Sequence, residues 1–367
     1  MKISDLIGVL ESFAPRAWQE NYDNSGLLFG DPDREIDSAL VSLDCTEEVI
    51  EEAIDKKCGL VISHHPILFN AVKSITGKTY VERTLIRAIQ NDVALYAIHT
   101  NLDNAFGGVS FKMAEKMGLE NVRVLNPRGG KLNKIVVFTP EKHVHSVRNA
   151  MFAAGAGHIG DYDHCSFYSP GTGTFRALDG ANPYVGNLGK EHHEPEMKIE
   201  TIVPQHRLSA VLGAMIEAHP YEEVAYDIYP LSNTDPRIGS GVVGRIKEPI
   251  SADEFLGLIG KTFNAKVVRH SKLVRQSIET VAICGGSGSF LMHEAIAANA
   301  DVYVTADMKY HEWFDVEDRL IVADIGHFES EQFTPELIGE IIARKFPTFA
   351  VLLSEVNTNP VNYFISK

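Results

Sequence analysis

Short unbroken apolar runs alternate along this chain with stretches in which apolar side chains recur every three or four positions. Unbroken runs read as strands buried on both faces, and the spaced stretches as helices lying over them. Leu6, Ile7, Val9, Leu10 and Phe13 predict an opening helix from Ser4, as N-cap, to about Ala14. After a polar loop at 21–26, apolar runs at 27–30 and 39–43 predict strands, the second ending at Asp44, followed by a helix over 47–57. A strand before His64, a helix over 80–91, a strand over 93–98 ahead of His99, and a helix after Gly107-Gly108 continue the alternation. Such a series folds into a sheet covered by helices.

The pattern changes at the turn-rich joint Pro127-Arg128-Gly129-Gly130. Beyond it come a strand at 132–138, a helix at 142–154, a polar glycine-rich stretch, a strand at 197–203, a helix at 205–218 and a strand at 225–231. With the polar stretch counted as the one strand that shows no apolar run, the order is β, α, β, β, α, β, that of a ferredoxin-like unit. Both helices follow a strand and a proline, Phe138-Thr139-Pro140-Glu141 and Ile202-Val203-Pro204-Gln205, which points to an internal duplication with Pro at N1. Past residue 235 the α/β alternation resumes, with strands at 281–284, 302–304 and 320–326. The expected organisation is an α/β host domain in two parts, 1–130 and 236–367, with an inserted ferredoxin-like α+β domain at 131–235.

Composition adjusts this picture modestly. A chain of 367 residues exceeds the usual single-core size. The formal net charge of −15 disfavours broad contact with nucleic acid. Four cysteines lack CxxC spacing, so reduced thiols are expected in place of a disulfide framework or zinc ribbon. No stretch approaches the ~20 apolar residues of a membrane span, and the N-terminus lacks a long apolar core. No membrane association and a cytoplasmic location are the expectation.

The candidate chemistry sits where predicted strands end. His64 and His65 close one run; His99 and, four residues on, Asp103 follow another; His327 and Glu331 follow a third. In α/β proteins the carboxyl ends of parallel strands form the ligand crevice. Histidine and carboxylate ligands without cysteine suit Zn, Mn, Fe, Co or Ni, and five of them from three segments suggest two divalent ions. Adjacent histidines on an extended chain point to opposite sides, so His64 and His65 require either an irregular backbone or one ion each. Asp103 or Glu331 is the candidate bridge. His99 is read as orienting a ligand. His327 and Glu331 share a helical face at i and i+4, and Thr334 is the expected cap of the next helix with Pro335 at N1. Asp307 and His311, after another strand, are candidate acid-base or substrate-contact groups. The turn Gly285-Gly286-Ser287-Gly288-Ser289 is either an anion cradle or a plain tight turn. His143, His145, His158, His164, His192 and His193 lack ligand spacing and read as solvated, and His219 as a helix cap.

Six segments carry a family resemblance: 18–27 (WQENYDNSGL), 63–66 (SHHP), 99–103 (HTNLD), 285–288 (GGSG), 305–311 (TADMKYH) and 326–331 (GHFESE). As a set they resemble the GTP cyclohydrolase 1 type 2 homolog family, also called NIF-three-like proteins, in the long form with an inserted PII-like or CutA-like domain. The resemblance implies that His64, His65, Asp103, His327 and Glu331 bind a pair of divalent metals. It also implies two α/β halves in the host domain and a toroidal homohexamer, a trimer of dimers with metal sites facing an inner cavity. The family name is an inherited label. The preferred expectation is a two-metal hydrolase acting on a nucleotide-like or other polar substrate. The alternative is a non-enzymatic regulatory or metal-handling protein whose inserted domain binds a ligand or partner.

Overall fold

The computed structural model describes residues 1–364. They divide into two compact units: one joins Met1–Asn126 to the chain from Arg237 onward, and the other is Pro127–Pro236.

The first unit holds two sheets. One has the strand order Gly26–Phe29, Ala94–Ala97, Leu60–Ser63, Ser38–Ser42, Ala350–Leu353, antiparallel at its first pairing and parallel at the others. Leu40, Val61 and Leu95 pack on one side against Val49, Ile50, Leu85 and Ala88 of helices Glu47–Asp55 and Tyr80–Gln90. Val41, Ile62 and Tyr96 pack on the other against Ile3, Leu6 and Leu10 of helix Ile3–Phe13 and Leu337, Ile338 and Ile341 of helix Thr334–Lys345. Burial on both faces is why these strands show no polar alternation, and each large side chain so buried contributes about 1.5–3 kcal/mol.

The other sheet runs Arg269–His270, Ile321–Asp324, Val302–Ala306, Ser277–Ser287, Asp235–Ser251, Glu120–Arg128, with Val302–Ala306 parallel to both neighbours. It too is covered twice, by Phe255 and Ile259 of helix Ala252–Thr262 and by Met292 and Ala295 of helix Met292–Ala297. In-register pairs Ser42↔Ser63 and Ser63↔Ala97 bring His64, His65 and His99 to one edge of the first sheet. The pair Thr305↔Asp324 does the same for Asp307 and His327 in the second.

Two caps differ from expectation. The opening helix starts at Ile3, because the Ile3 and Ser4 amides donate to the carbonyls of Arg34 and Pro32, and Lys2, whose N–H donates to Asp5, takes the cap position in place of Ser4. Thr334 lies inside its helix behind Phe333, and its hydroxyl has no partner.

The second unit is a four-stranded antiparallel sheet in the order Ser166–Arg176, Glu191–Pro204, Leu132–Pro140, Tyr226–Leu231. Helices Val144–Ala153 and Leu208–Ala218 cover one face through Val147, Met151, Val211 and Met215. This is the ferredoxin-like β, α, β, β, α, β order. Strand Ser166–Arg176 occupies the stretch that reads as merely polar; it is an exposed edge carrying Pro170, Gly171 and Gly173, which hide it from pattern. Pro140 and Pro204 each precede a 3₁₀ turn, Glu141–His143 and Gln205–Arg207, and so stand before the α-helix instead of at its N1. All four cysteines are free thiols. Among the described residues no helix is long and apolar enough to cross a membrane.

Candidate metal centre

The Leu60–Ser63 strand delivers two imidazoles with a fixed backbone, since the His64 and His65 amides go on bonding to the carbonyls of Ser42 and Leu43 past the strand's end. His64 is fully buried, and its Nδ1 donates to Ile98 O at 2.8 Å. His65 Nδ1 meets Asp44 Oδ1 at 2.8 Å, while Asp44 Oδ2 accepts from Thr358 at 2.6 Å. The rings stand 5.0 Å apart and 46° from coplanar.

After the second strand the chain makes a single helical turn, Thr100–Asp103. Asp23, with an enclosed side chain, organises it: Oδ1 is 2.7 Å from His99 Nδ1 and Oδ2 accepts the Thr100 N–H at 3.0 Å and the Thr100 hydroxyl. Burial opposes ionisation of Asp23, but His99 and Thr100 outweigh it and hold the carboxyl well below its usual range.

From the other sheet, Gly326 at φ 95° turns the chain into the short helix His327–Glu331. His327 Nδ1 lies 2.7 Å from Asp307 Oδ2. Asp307 itself holds a left-handed φ of 57°, and its contact with His327 lowers its pKa. The glycine turn is explained by proximity: a Cβ on Gly286, at φ 64°, would overlap Glu331 Oε1. Its amides are used internally, Gly286 N–H donating to Ser330 Oγ at 2.9 Å and Gly285 N–H to Ser110 Oγ at 3.3 Å, which favours the tight turn over the anion cradle.

Four imidazoles thus have Nδ1 occupied, three by the carboxylates Asp23, Asp44 and Asp307 and one by a carbonyl. With Nδ1 as donor, each Nε2 turns a lone pair inward. What they face are further acceptors. His64 Nε2 is 3.5 Å from Asp103 Oδ1 and 3.9 Å from Glu331 Oε1. His65 Nε2 and His327 Nε2 each lie 3.0 Å from Glu331 Oε2 and 3.3 Å from one another. His64 Nε2, Asp103 Oδ1 and Glu331 Oε2 are buried without an aligned hydrogen bond. Buried acceptors that face only acceptors are unstable unless a cation lies between them.

With no ion between the clustered groups, protons on His65 and His327 take part of a cation's place. Burial drives the His64 pKa down to about 3, against the pull of Glu331. Burial also opposes charging of His65 and His327, yet Glu331 with Asp44 or Asp307 outweighs it and raises them to about 10 and about 11. Burial and Glu331 push the Asp103 carboxyl well above its usual range, whereas His65 and His327 hold Glu331 well below its own. Three groups have ligand atoms within 4.8 Å of one another and can hold a metal ion: His64, Asp103 and Glu331; His65, His327 and Glu331; His64, His65 and His99.

The structure therefore brings together His64, His65, Asp103, His327 and Glu331, and adds His99, which the spacing alone ranks as an orienting group. Asp307 reaches the cluster only through His327. His311 is exposed on the 3₁₀ turn Tyr310–Trp313, its ring 5.2 Å from Tyr310, and is not part of the cluster. Asp23 and Asp44, which hold His99 and His65, are side chains that pattern reading passes over; the sequence signal for them is that each lies in a loop or strand end beside the candidate ligand segments. Among the described residues, the histidines of the second unit join no such group. A cleft of about 710 Å³ opens onto His65, His99 and His327 and is also bordered by Arg269, Asn359 and Tyr363.

Comparison with known proteins bears on this site. A family model described as Duf34/NIF3 (NGG1p interacting factor 3) matches residues 1–360. A Halalkalibacterium halodurans protein named GTP cyclohydrolase 1 type 2 homolog is 39% identical over 371 residues, covering 99% of this chain and 100% of that protein. One of the same name from Bacillus subtilis is 38% identical, covering 98% and 97%. The crystal structure of a Bacillus cereus protein related to NIF3 matches with a TM-score of 0.86 at 36% identity over 99% of each chain.

Proposed function

The chain belongs to the Duf34/NIF3 family, and from that premise we propose that it binds two divalent cations per chain and uses them as a metal-dependent hydrolase. His64, Asp103 and Glu331 would hold one ion and His65, His327 and Glu331 the other, with Glu331 shared in preference to Asp103. His99 completes the ring of imidazoles. The observation that carries this reading is the convergence of imidazole Nε2 atoms on Asp103 and Glu331, with His64 Nε2, Asp103 Oδ1 and Glu331 Oε2 buried without an aligned hydrogen bond. The donor set suits Zn, Mn, Fe, Co or Ni.

A dinuclear pair of such ions supplies Lewis acidity and makes water acidic enough to deprotonate near neutrality. The chain's own residues do the rest. Asp23, Asp44 and Asp307 lock the Nδ1–H tautomers, so each Nε2 stays aimed inward. Arg269, held by Asp324 and by Met308 O at 3.2 Å, borders the cleft and offers a guanidinium to an anionic part of the substrate. Asp307 orients His327 and borders the cleft, so it stays with His311 as a candidate for proton transfer or substrate contact. The substrate class is nucleotide-like or otherwise polar, in keeping with the name borne by the relatives. The remaining parts of the reading are a host domain in two parts with a PII-like or CutA-like insert, a homohexamer built as a trimer of dimers, and a cytoplasmic location.

Elemental analysis of purified protein tests the site: two ions per chain in the wild type, falling to about one in Asp103→Ala, which leaves the His65, His327 and Glu331 set whole, with circular dichroism unchanged. Full occupancy in the variant would reject it. Hydrolysis assays with Mn-, Zn- or Fe-loaded protein on nucleotides, phosphodiesters and amides test the activity. A separate cavity in the second unit favours one alternative, a regulatory or metal-handling protein whose insert binds a ligand; absence of turnover under every metal would select it.

A further inference from the structure

The second unit carries a cavity of about 780 Å³. Glu196 and Lys198, which border it, alternate along their strand with Met197 and Ile199, which pack under the helices, so the cavity lies on the helix-free face of the sheet. Its floor is bare. Gly171 and Gly173 pair across the hairpin with Glu196 and Glu194, and a Cβ on Gly173 would overlap the Glu196 carboxylate. Glycine there is what lets that carboxylate lie across the strand.

The walls are aromatic. The Tyr221 ring stands 6.0 Å from that of Tyr184 and 6.5 Å from that of Phe175. Tyr221 Oη is buried without an aligned hydrogen bond, and burial together with Glu196 raises its pKa. Among the described residues no ion pair joins Glu196 to a cation: Lys198 Nζ, which also borders the cavity, is 2.6 Å from Glu200, and Arg176 is exposed at the rim. Lys142, which does not line the cavity, already sits 4.9 Å over the Tyr184 ring, so that ring accepts an ammonium. Glu222 takes the Asn182 N–H at 2.8 Å and so ties the segment that closes the cavity.

Aromatic faces beside a carboxylate attract an organic cation and repel an anion, while the apolar remainder accommodates hydrocarbon. We propose that this cavity is a binding site for a small organic amine, its ammonium held between Glu196 and the Tyr184 and Tyr221 rings and its hydrocarbon body over Gly171. The site needs nothing from the metal centre.

Calorimetric titration of the full chain with phenethylammonium, phenethyl alcohol and hydrocinnamate separates the charges on one hydrocarbon frame. Saturable binding of the amine with Kd of about 1 mM or tighter is expected. The alcohol should bind at least about tenfold more weakly, and the carboxylate not measurably. Glu196→Gln should bring the amine down to the level of the alcohol. Gly171→Leu should abolish binding by filling the cavity, since a Cβ there meets only Glu196 O at 4.0 Å and the backbone is not left-handed. Thermal melting checks that both variants fold; if Gly171→Leu does not, Glu196→Gln decides. No binding of the amine to the wild type, equal binding of the carboxylate, or undiminished binding in a folded variant overturns the proposal.

Discussion

The histidines of the first unit and those of the second belong to one residue type in two opposite situations. His192 and His193 satisfy Nε2 with Glu194 and Glu191 at 2.8 and 3.0 Å, each pair formed by near neighbours at the surface. His64, His65, His99 and His327 instead satisfy Nδ1, with partners 20 to 76 residues away, and leave Nε2 turned into a buried cluster of acceptors. A local pair needs no third party, because each charge has its partner and water. A convergent set of unmet acceptors needs a cation. The contrast shows that a metal centre is recognised by which nitrogen is already used, and histidine count says little.

The sharpest way to break the contrast is at the shared carboxylate. Glu331→Gln should remove both ions, reducing metal by elemental analysis from two per chain to near zero. Ion removal by chelator should lower the melting temperature of the wild type by on the order of 10 °C, since an ion at a thousandfold excess over its Kd stabilises by about 4 kcal/mol. The variant should show almost no chelator response.

The orienting carboxylates come next. Asp307→Asn and Asp44→Asn keep the shape but release the tautomer lock on His327 and His65, so competition titration should read about 10–100-fold weaker metal binding. An unchanged affinity would mean that these carboxylates are bystanders.

The second unit responds to pH by a different route. Burial lowers the pKa of His219, whose Nε2 donates to Phe138 O at 2.9 Å and whose Nδ1 accepts the Tyr221 N–H. Its folded pKa is below the unfolded value, so the unfolded chain takes the proton first. The stability it contributes is full above the unfolded value of about 6.5 and is lost as pH falls from there through the lower folded pKa. His219→Gln should flatten the acid limb of a melting-temperature profile by about 1–2 °C between pH 7 and 5. At the bottom of the scale, His193→Ala should leave metal content, melting temperature and turnover unchanged.

Much of this was legible in the chain because of how the strands are buried. Leu60–Ser63 and Val302–Ala306 are enclosed on both faces, so their apolar runs are unbroken and their polar ends stand out. Ser166–Arg176 was not legible, because an edge strand with proline and glycines has no apolar face to display. Ser4 and Thr334 look like caps, but Pro32, Arg34 and Phe333 set the helix starts from tertiary context or backbone angle. At the centre, residue type and strand-end position single out His64, His65, Asp103, His327 and Glu331. The roles of Asp23 and Asp44 depend on contacts 76 and 21 residues distant, and His99 rises from orienting group to candidate ligand only once its Nδ1 is seen on Asp23. Periodicity carries no information about such pairings.

The account rests on two cations sharing Glu331. Anomalous diffraction from metal-loaded crystals, collected on both sides of the absorption edge, tests it most directly. Two peaks per chain are predicted, one within about 2.0–2.2 Å of His64 Nε2 and an Asp103 oxygen, the other as near to His65 and His327 Nε2, with a Glu331 oxygen on each. Metal-replete crystals with no peak within coordination reach of these side chains would contradict it.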